Sequence, residues 1–188
     1  MSVQFPPIIL ASKSPRRQEL LTLMGLNFKV ELKDVDESYP SDLSPAEIAV
    51  YISEKKASAF NGDGEIVITA DTIVALNGEI LGKPADRKHA QEMLKKLSGS
   101  KHEVFTGVTL AKGGQIHSFY DRTIVYCKEV TAEEIDFYID HYKPFDKAGS
   151  YGVQDWWGIV VVERIEGSYT NVMGLPTEKL YNELLKFI

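Results

Sequence analysis

Short apolar runs alternate with amphipathic segments along this chain, and this alternation limits its fold more than any other feature. Ile8–Ala11 and Ile66–Ala70 are apolar runs of strand length, whereas Pro15–Met24 carries its apolar side chains at helical spacing. Strands that alternate with helices along a chain pack as a sheet covered by helices. The pattern therefore predicts an α/β domain.

Helix boundaries are marked by capping residues. Ser14, followed by Pro15, is expected to begin the first helix, and Gly25 follows its last turn. Capping boxes, a capping aspartate and apolar spacing predict the other helices. These run from Ser44 to about Phe60, from Asp86 to Leu97, from Thr131 to about His141, and over Thr177–Phe187.

Strand positions follow from apolar runs and turn residues. The run Ile66–Ala70 is predicted to end at Asp71-Thr72, and a hairpin that turns at Asn77-Gly78 is predicted to follow it. The predicted strands are Asn27–Leu32, the hairpin strands Ile73–Leu76 and Glu79–Leu81, the long antiparallel pair His102–Lys112 and Gln115–Val130, and Ile159–Ile165, with a loop over Gly149–Gln154.

Length and charge bound the class of protein. The 188 residues contain no internal repeat or linker-like segment, so we predict a single domain over residues 1–188. The formal net charge of −6 argues against a surface that coats nucleic acid, because such a surface needs many cations. Cys127 is the only cysteine, which indicates a reducing compartment. No segment has the features of a secretory signal or the roughly 18–20 apolar residues of a membrane span. We expect a cytoplasmic protein that binds neither membrane nor nucleic acid.

A turn rich in serine and arginine joins the first predicted strand to the first helix. Unpaired N–H groups at a helix N-terminus attract phosphate, and Ser12 and Ser14 can add hydroxyl donors. Arg16 and Arg17 lie in the first helical turn, where the helix dipole disfavours cations unless an anion neutralises them. The turn indicates a phosphate site, although a capped helix with two solvated arginines explains the same residues.

Carboxylates occur at two places that suit a metal ion or a general base. Asp71 follows a buried run, and ligands of α/β proteins tend to bind at the carboxyl ends of strands. The loop residues Asp34, Asp36 and Glu37 offer the oxygen ligands that Mg²⁺ or Mn²⁺ prefers. The alternatives are an aspartate that bonds its own turn and a solvated acidic loop.

Three lysines add candidate cations for an anionic ligand. Adjacent helical residues point about a third of a turn apart, so at most one of Lys55 and Lys56 is expected to face a site. Lys83 lies between glycine and proline in a loop that follows the hairpin, which fixes its position better. Its alternative is a turn lysine in solvent.

A glycine-rich loop carries one side chain that can recognise a base. The amide of Gln154 offers a donor and an acceptor, and thymine and uracil present a matching N3–H beside a carbonyl. An amide can flip, so this pairing alone does not fix the base. Trp156 and Trp157 could stack on a base, but two tryptophans before a valine-rich strand are more often core residues.

Other common enzyme classes are not supported. The chain has no P-loop and no His-Glu-x-x-His motif, and its four histidines show no metal-ligand spacing. Cys127 falls in the alternating strand pattern Thr123–Val130, which argues against a cysteine nucleophile.

Five motifs follow one another along the chain. They are Leu10-Ala11-Ser12-x-Ser14-Pro15-Arg16-Arg17-x-Glu19-Leu20-Leu21, Ala70-Asp71-Thr72-Ile73-Val74, Gly82-Lys83-Pro84, Lys147-Ala148-Gly149-x-Tyr151-Gly152-x-Gln154 and Asn171-x-Met173-Gly174-Leu175-Pro176. In order and spacing they resemble the motifs of the Maf family of nucleotide pyrophosphatases, and the resemblance extends from about residue 8 to residue 185. Lys13 and Ser150 stand where a small residue and alanine are common, and neither departure removes a functional group.

The resemblance implies a fold, an activity and site residues. The fold is α/β, with an elongated mixed β-sheet, flanking helices, two lobes and a central cleft, similar to the inosine triphosphate pyrophosphatases. The activity is hydrolysis of a nucleoside triphosphate at the α-phosphorus with release of pyrophosphate, assisted by Mg²⁺ or Mn²⁺. Asp71 matches the general base or metal ligand, and Glu37 a second metal carboxylate. The phosphate-holding positions are Ser12, Arg16, Arg17, Lys56 and Lys83, and the substrate-choice positions are Arg16, Thr72 and Gln154.

The substrate-choice positions are similar to those of the dTTP/UTP branch, and the 7-methyl-GTP branch typically differs there. The expected function is therefore house-cleaning hydrolysis of dTTP, UTP or modified pyrimidine triphosphates. Two alternatives stay open, namely activity on 7-methyl-GTP or a purine nucleotide, and a regulatory role in cell division and septum formation through a bound partner. A homodimer is expected from the resemblance alone.

Overall fold

The structure, a computed structural model, describes residues 4–60 and 64–188. Seven strands within these ranges form one mixed sheet. In chain order they are β1 (Ile8–Leu10), β2 (Phe28–Val30), β3 (Ile66–Leu76), β4 (Glu79–Leu81), β5 (Lys101–Lys112), β6 (Gln115–Cys127) and β7 (Val162–Glu166). They lie in the order β2-β1-β3-β5-β6-β7, and β4 also pairs with β3. β1 runs parallel to β2 and β3, and every other pairing is antiparallel.

Helices cover this sheet, and most begin at the predicted caps. They are α1 (Pro15–Leu23), α2 (Pro45–Ala57), α3 (Arg87–Leu97), α4 (Ala132–Tyr142), α5 (Trp156–Val160), α6 (Tyr169–Met173) and α7 (Thr177–Phe187), with short 3-10 turns at Pro144–Asp146 and Ala148–Ser150. Capping boxes at Ser44 and Thr131 begin α2 and α4, as predicted. Across the two described ranges, no helix combines the length and the apolar character needed to cross a membrane.

One edge of β3 contains the gap around which the site is built. Residues 67–75 of β3 pair with β5 on the opposite edge. On the near edge, β1 pairs with residues 66–68 and β4 pairs with residues 74–76. Asp71 and Thr72 therefore lie between the two partner strands, where the edge is not covered by either.

The hydrophobic core is divided at the same place. Residues 66, 68 and 70 of β3 pack in a cluster with α1 and α7, whereas residues 74 and 76 pack in a second cluster with α3, α4 and α5. A third cluster joins α2 to the opposite face of β3 through Ile73 and Ala75. Side chains alternate along a strand, so Asp71 shares the face covered by α2. Thr72 points to the opposite face, at the boundary between the first and second clusters, which are the cores of the two lobes.

The predicted end of the strand that leads to Asp71 was wrong. The run does not stop at Ala70, because β3 continues through Asp71 and Thr72 to Leu76 and forms the first hairpin strand as well. Pairing with β5 over residues 67–75 holds the polar residues in the strand. Asp71 is accessible because β1 ends early, and it does not lie at a strand terminus.

The predicted strand Ile159–Ile165 was half wrong. Its first part belongs to α5, and β7 begins at Val162. The Asp155 side chain caps α5 by accepting the N–H of Trp157, whose ring is fully buried. Burial of this tryptophan outweighs the strand preference of the β-branched residues that follow. The sequence analysis also missed α6 and both 3-10 turns.

Ser150 adopts an unfavourable backbone conformation that glycine would relieve. Its φ is 62°, it is fully buried, and its Oγ has no hydrogen-bond partner in the described residues. A non-glycine residue in the left-handed region costs about 1–3 kcal/mol, and the flexibility of glycine in the unfolded chain offsets about 1 kcal/mol of that. We expect Ser150→Gly to raise the free energy of unfolding by about 1 kcal/mol, measured by thermal denaturation. The control Ser58→Gly, at a right-handed position, should lower it, and a loss of stability in Ser150→Gly would contradict the interpretation.

Candidate active site

A cleft of about 340 Å³ opens beside the gap in the edge of β3. It lies between the two lobes, with α1 on one side and the loop after the second 3-10 turn on the other. Its lining contains every residue that the resemblance assigned to the site, namely Ser12, Arg16, Arg17, Glu37, Lys56, Asp71, Thr72, Lys83 and Gln154. These side chains therefore converge on one cleft, and the role of each residue stays a prediction.

Lys56 joins two carboxylates at the centre of this cleft. Its Nζ lies 2.8 Å from Asp71 Oδ1 and 2.9 Å from Glu37 Oε1. Asp71 Oδ2 has no hydrogen-bond partner in residues 4–60 and 64–188. Burial raises the pKa of Glu37, but the hydrogen bond and charge of Lys56 and the charge of Lys83 outweigh it, so the pKa lies below its usual value. Both carboxylates thus face a cation.

The rest of the acidic loop does not join this pair. Asp36 accepts hydrogen bonds from Ser38 and Lys55, which lower its pKa to about 2. Asp34 lies 3.6 Å from Lys13 and is fully exposed. Of the three loop carboxylates considered as metal ligands, only Glu37 lies beside Asp71. Lys55 binds Asp36 outside the cleft, so one lysine of the pair faces the site, as predicted.

Two carboxylates converge here, and the donor set suits a hard divalent cation. No group of three His, Cys, Asp or Glu side chains in the described ranges is arranged to hold a metal. Mg²⁺ is usually bound by one or two carboxylates together with substrate phosphates and water. Glu37 and Asp71 fit that pattern, because the phosphates would supply the missing oxygens.

Arg17 organises the turn between β1 and α1. Its Nε donates to the carbonyl oxygen of Gly174 at 2.8 Å, Nη1 to Ser12 Oγ at 3.2 Å, and Nη2 to Thr72 Oγ1 at 3.0 Å. Burial lowers the pKa of Arg17, yet a guanidinium stays protonated in proteins. Ser14 is the N-cap of α1, as predicted, but its side chain accepts no hydrogen bond from a backbone N–H of the helix. The backbone N–H of Ser14 itself donates to Ser12 Oγ.

Asp146 and Lys147, to which the sequence analysis assigned no role, lie beside Arg16 in the cleft. Arg16 Nη1 is 3.2 Å from Asp146 Oδ2, and Lys147 Nζ is 2.7 Å from Asp146 Oδ1. Burial raises the pKa of Asp146, but Lys147 and Arg16 outweigh it and lower the pKa overall. The sequence signal was that Lys147 begins the fourth motif and that Asp146 directly precedes it.

Gln154 contributes the amide of that loop to the cleft. Its Oε1 is buried and has no hydrogen-bond partner in the described part of the chain. Trp157 is fully buried in the second core cluster and Trp156 packs against it, so neither tryptophan is available to a base in the cleft. Cys127 is buried too, which raises the pKa of its thiol to about 11 and excludes a reactive thiolate.

The cleft has the opposite charge to the whole protein. Its lining carries seven cationic side chains, Lys13, Arg16, Arg17, Lys33, Lys56, Lys83 and Lys147, and four acidic ones, Asp34, Glu37, Asp71 and Asp146. The lining therefore has a formal charge of +3, in a chain whose formal charge is −6. Such a local excess of cations attracts a compact, highly charged anion.

Comparison with known proteins agrees with this chemistry. Residues 7–187 match the family model described as Maf-like protein. The chain is 53% identical to a dTTP/UTP pyrophosphatase of Bacteroides thetaiotaomicron, with 95% of each chain covered. It is 48% identical to a dTTP/UTP pyrophosphatase of Cytophaga hutchinsonii, over 95% of this chain and 83% of that relative.

Among solved structures, the fold is similar to that of the Ham1 protein of Staphylococcus aureus. The TM-score is 0.50 at 17% sequence identity, and the match covers 94% of this chain and 99% of that protein. At this identity the likeness concerns the fold alone. It confirms the predicted α/β class with an open mixed sheet.

Proposed function

The chain belongs to the family of Maf-like proteins, and we propose that it is a nucleoside triphosphate pyrophosphatase that acts on dTTP and UTP. The reaction converts the triphosphate to the monophosphate and pyrophosphate. The relatives that share about half of its residues carry this activity in their names. A nucleoside triphosphate is therefore the expected partner of the cleft.

The observation that carries the proposal is the convergence of cations and a carboxylate on one cleft. A triphosphate carries about four negative charges, and more charge shifts to the departing pyrophosphate as the α–β link breaks. Cations fixed around that position stabilise the developing charge, because they are already oriented before the reaction. In this assignment the phosphates are held by Ser12, Arg16, Arg17, Lys56 and Lys83.

Asp71 is the residue assigned to the attacking water. Its Oδ1 is fixed by Lys56, so Oδ2 can orient a water molecule and accept its proton. The water oxygen forms the new bond to the α-phosphorus, the α–β anhydride bond breaks, and pyrophosphate leaves with the bonding electrons. General-base assistance of this kind typically contributes 10²–10⁴-fold.

A divalent cation, Mg²⁺ or Mn²⁺, completes the proposal. When bound, it would neutralise phosphate charge and act as a Lewis acid. Glu37 and Asp71 are the carboxylates that would hold it, and Lys56 lies against both of them. Lys56 would keep both carboxylates oriented and add a positive charge beside the phosphates.

Gln154 and Thr72 are assigned to substrate choice. Gln154 lines the cleft, and its amide carries a donor and an acceptor of the kind that match the N3–H and carbonyl of thymine or uracil. Thr72 Oγ1 accepts a hydrogen bond from Arg17, so the residue after the proposed base is linked to a phosphate-holding arginine. Arg16, the third position, faces Asp146 across the cleft.

An assay of pyrophosphate release over a nucleotide panel tests the proposal. We expect release from dTTP and UTP with Mg²⁺ or Mn²⁺, and a decrease of at least about 100-fold after chelation, since a metal contributes several kcal/mol to such a reaction. Addition of the metal after chelation should restore the rate. Preference for 7-methyl-GTP or a purine nucleotide would contradict the substrate assignment. Activity on no triphosphate with either metal would favour the partner-binding role in cell division.

A further inference from the structure

A chain of hydrogen bonds leads from Arg17 in the cleft to a residue that does not line it. Arg17 Nη2 donates to Thr72 Oγ1 at 3.0 Å, and Thr72 Oγ1 lies 3.0 Å from Thr106 Oγ1. Thr106 Oγ1 donates in turn to the carbonyl oxygen of Asn171 at 3.0 Å. Thr106 is fully buried on β5, directly opposite Thr72 on β3, and is absent from the cleft lining. Any effect of Thr106 on a bound ligand therefore passes through Thr72 or Asn171.

The direction of each hydrogen bond in this chain follows from the groups that form it. A guanidinium has no acceptor, so Arg17 donates to Thr72. A carbonyl oxygen has no proton, so the single hydroxyl proton of Thr106 goes to Asn171. The contact between the two hydroxyl groups then uses the proton of Thr72. Thr106 thus turns this proton away from the guanidinium and leaves an oxygen lone pair of Thr72 for it.

The carbonyl group of Asn171 closes the chain into a ring. Besides the hydroxyl of Thr106, its oxygen accepts the backbone N–H of Gly174 at 3.0 Å. The carbonyl oxygen of Gly174 accepts Arg17 Nε at 2.8 Å, so the chain returns to the guanidinium at which it began. Two of the three hydrogen bonds that Arg17 donates to the described residues therefore belong to a ring that contains Thr106.

The ring is anchored in the protein on the side opposite the cleft. Asn171 is fully buried, and its Nδ2 donates to the carbonyl oxygen of Val104 at 3.1 Å and to Thr123 Oγ1 at 2.9 Å. These two contacts fix α6 against β5 and β6. The cationic member of the ring, Arg17, lines the cleft. The buried side of the ring can therefore determine where the guanidinium lies.

We propose that Thr106 is a positioning residue for the phosphate-holding Arg17, through the hydroxyl of Thr72 and the carbonyl groups of α6. The inference rests on the proposed function, because it concerns the phosphate end of the same cleft. The described residues take one N–H from each nitrogen of the guanidinium, which leaves one N–H on each Nη atom for phosphate oxygens. The ring fixes the plane in which these two groups lie, and such contacts depend strongly on geometry.

The test compares Thr106→Val with wild-type enzyme. Valine has nearly the shape of threonine but neither donates nor accepts, so the Thr72 proton is free to turn and Arg17 loses its fixed acceptor. We expect kcat/KM for UTP to fall about tenfold, chiefly through KM, which is the size of one weakened hydrogen bond to a charged group. The Kd of inorganic triphosphate, measured by titration calorimetry without nucleotide, should rise by about the same factor. Thr106→Ser keeps the hydroxyl and should stay within about twofold of wild type in both quantities.

A second buried threonine on the same strand provides the matched control. Thr109 is fully buried on β5, and its Oγ1 lies 2.7 Å from Ser53 Oγ and 3.1 Å from Ser118 Oγ, outside the ring and the cleft lining. Thr109→Val should lower the unfolding temperature about as much as Thr106→Val does, because each variant removes a buried hydroxyl. It should leave kcat/KM and the Kd of triphosphate unchanged. A purely structural role of Thr106 predicts instead that the two valine variants behave alike.

The outcomes separate this inference from the proposed function. Unchanged kcat/KM and triphosphate affinity in Thr106→Val would overturn the positioning role, as would an equal loss in Thr109→Val or in Thr106→Ser. If Thr106→Val does not fold, Thr106→Ala decides in its place, with Thr109→Ala as its control and the same tenfold change expected. Wild-type protein that binds inorganic triphosphate but hydrolyses no nucleotide would overturn the proposed function alone, because the Kd comparison would still decide on Thr106. Protein that neither binds triphosphate nor hydrolyses nucleotides would overturn both.

Discussion

Asp71→Asn is expected to lower kcat for dTTP and UTP hydrolysis by about 10²–10⁴-fold, because the amide cannot accept a proton from water. The amide oxygen can still accept the hydrogen bond of Lys56, which now lies 2.8 Å from Oδ1. The position is an interior strand residue paired with Gly107 on β5, so the change of side chain leaves the sheet pairing in place. Pyrophosphate release at saturating nucleotide and metal measures the effect.

A second aspartate in a strand provides the control for this variant. Asp121 lies in β6 and accepts the N–H of Arg122, outside the cleft lining. Asp121→Asn should keep wild-type kcat, and both variants should unfold at temperatures close to that of the wild type. An Asp71→Asn enzyme that turns over at near wild-type rate would show that another group activates the water. A variant that loses stability as well as activity would argue for a structural role of the carboxylate.

The elements that the sequence predicted well are those whose signals are local. Capping boxes at Ser44 and Thr131 marked the starts of α2 and α4, and α7 matches its predicted bounds. The β-bulge-free hairpin of β5 and β6 turns at Gly113-Gly114, which both have positive φ. In each case a few neighbouring residues determine the geometry.

The errors occurred where distant residues decide the structure. β3 continues through Asp71 because β5 pairs with it over residues 67–75, and no local pattern around Asp71 reveals that partner. Trp157 makes α5 a helix through its burial in the second core cluster. Local preference is a weak guide when such packing opposes it.

The site shows the same division between local and distant information. The motif residues were known individually from the resemblance, but the sequence did not show that Lys56 contacts Glu37 and Asp71 together, since 19 and 15 positions separate these pairs. Asp146 pairs with Arg16 across 130 positions. Tyr138 lies on α4 without any motif, and only the fold shows that its phenol reaches the loop of Gln154. Convergence of this kind depends on the chain path, which a single sequence does not contain.

Gly107→Ala is expected to destabilise the protein by about 3 kcal/mol or more, because a methyl group would collide with the backbone of α2. The added Cβ would lie 2.3 Å from the carbonyl carbon of Ala49 and 2.5 Å from the amide nitrogen of Val50. A backbone contact of this length cannot be relieved by a side-chain rotation, so α2 has to move away from the sheet. Denaturant unfolding measures the loss, and Gly64→Ala, where a Cβ has no neighbour within 4 Å, is the control.

The same variant should also lose activity in the fraction that remains folded. Gly107 is the direct register partner of Asp71, so the backbone of α2 lies close against the sheet in the row that contains the proposed base. That approach brings Lys56 of α2 to 2.8 Å from Asp71, and a shift of α2 would lengthen this contact. We expect kcat to fall about tenfold or more, since displacement by about 1 Å can cost 10²-fold. A stable Gly107→Ala enzyme with normal kcat would show that the close approach of helix and sheet does not position Lys56.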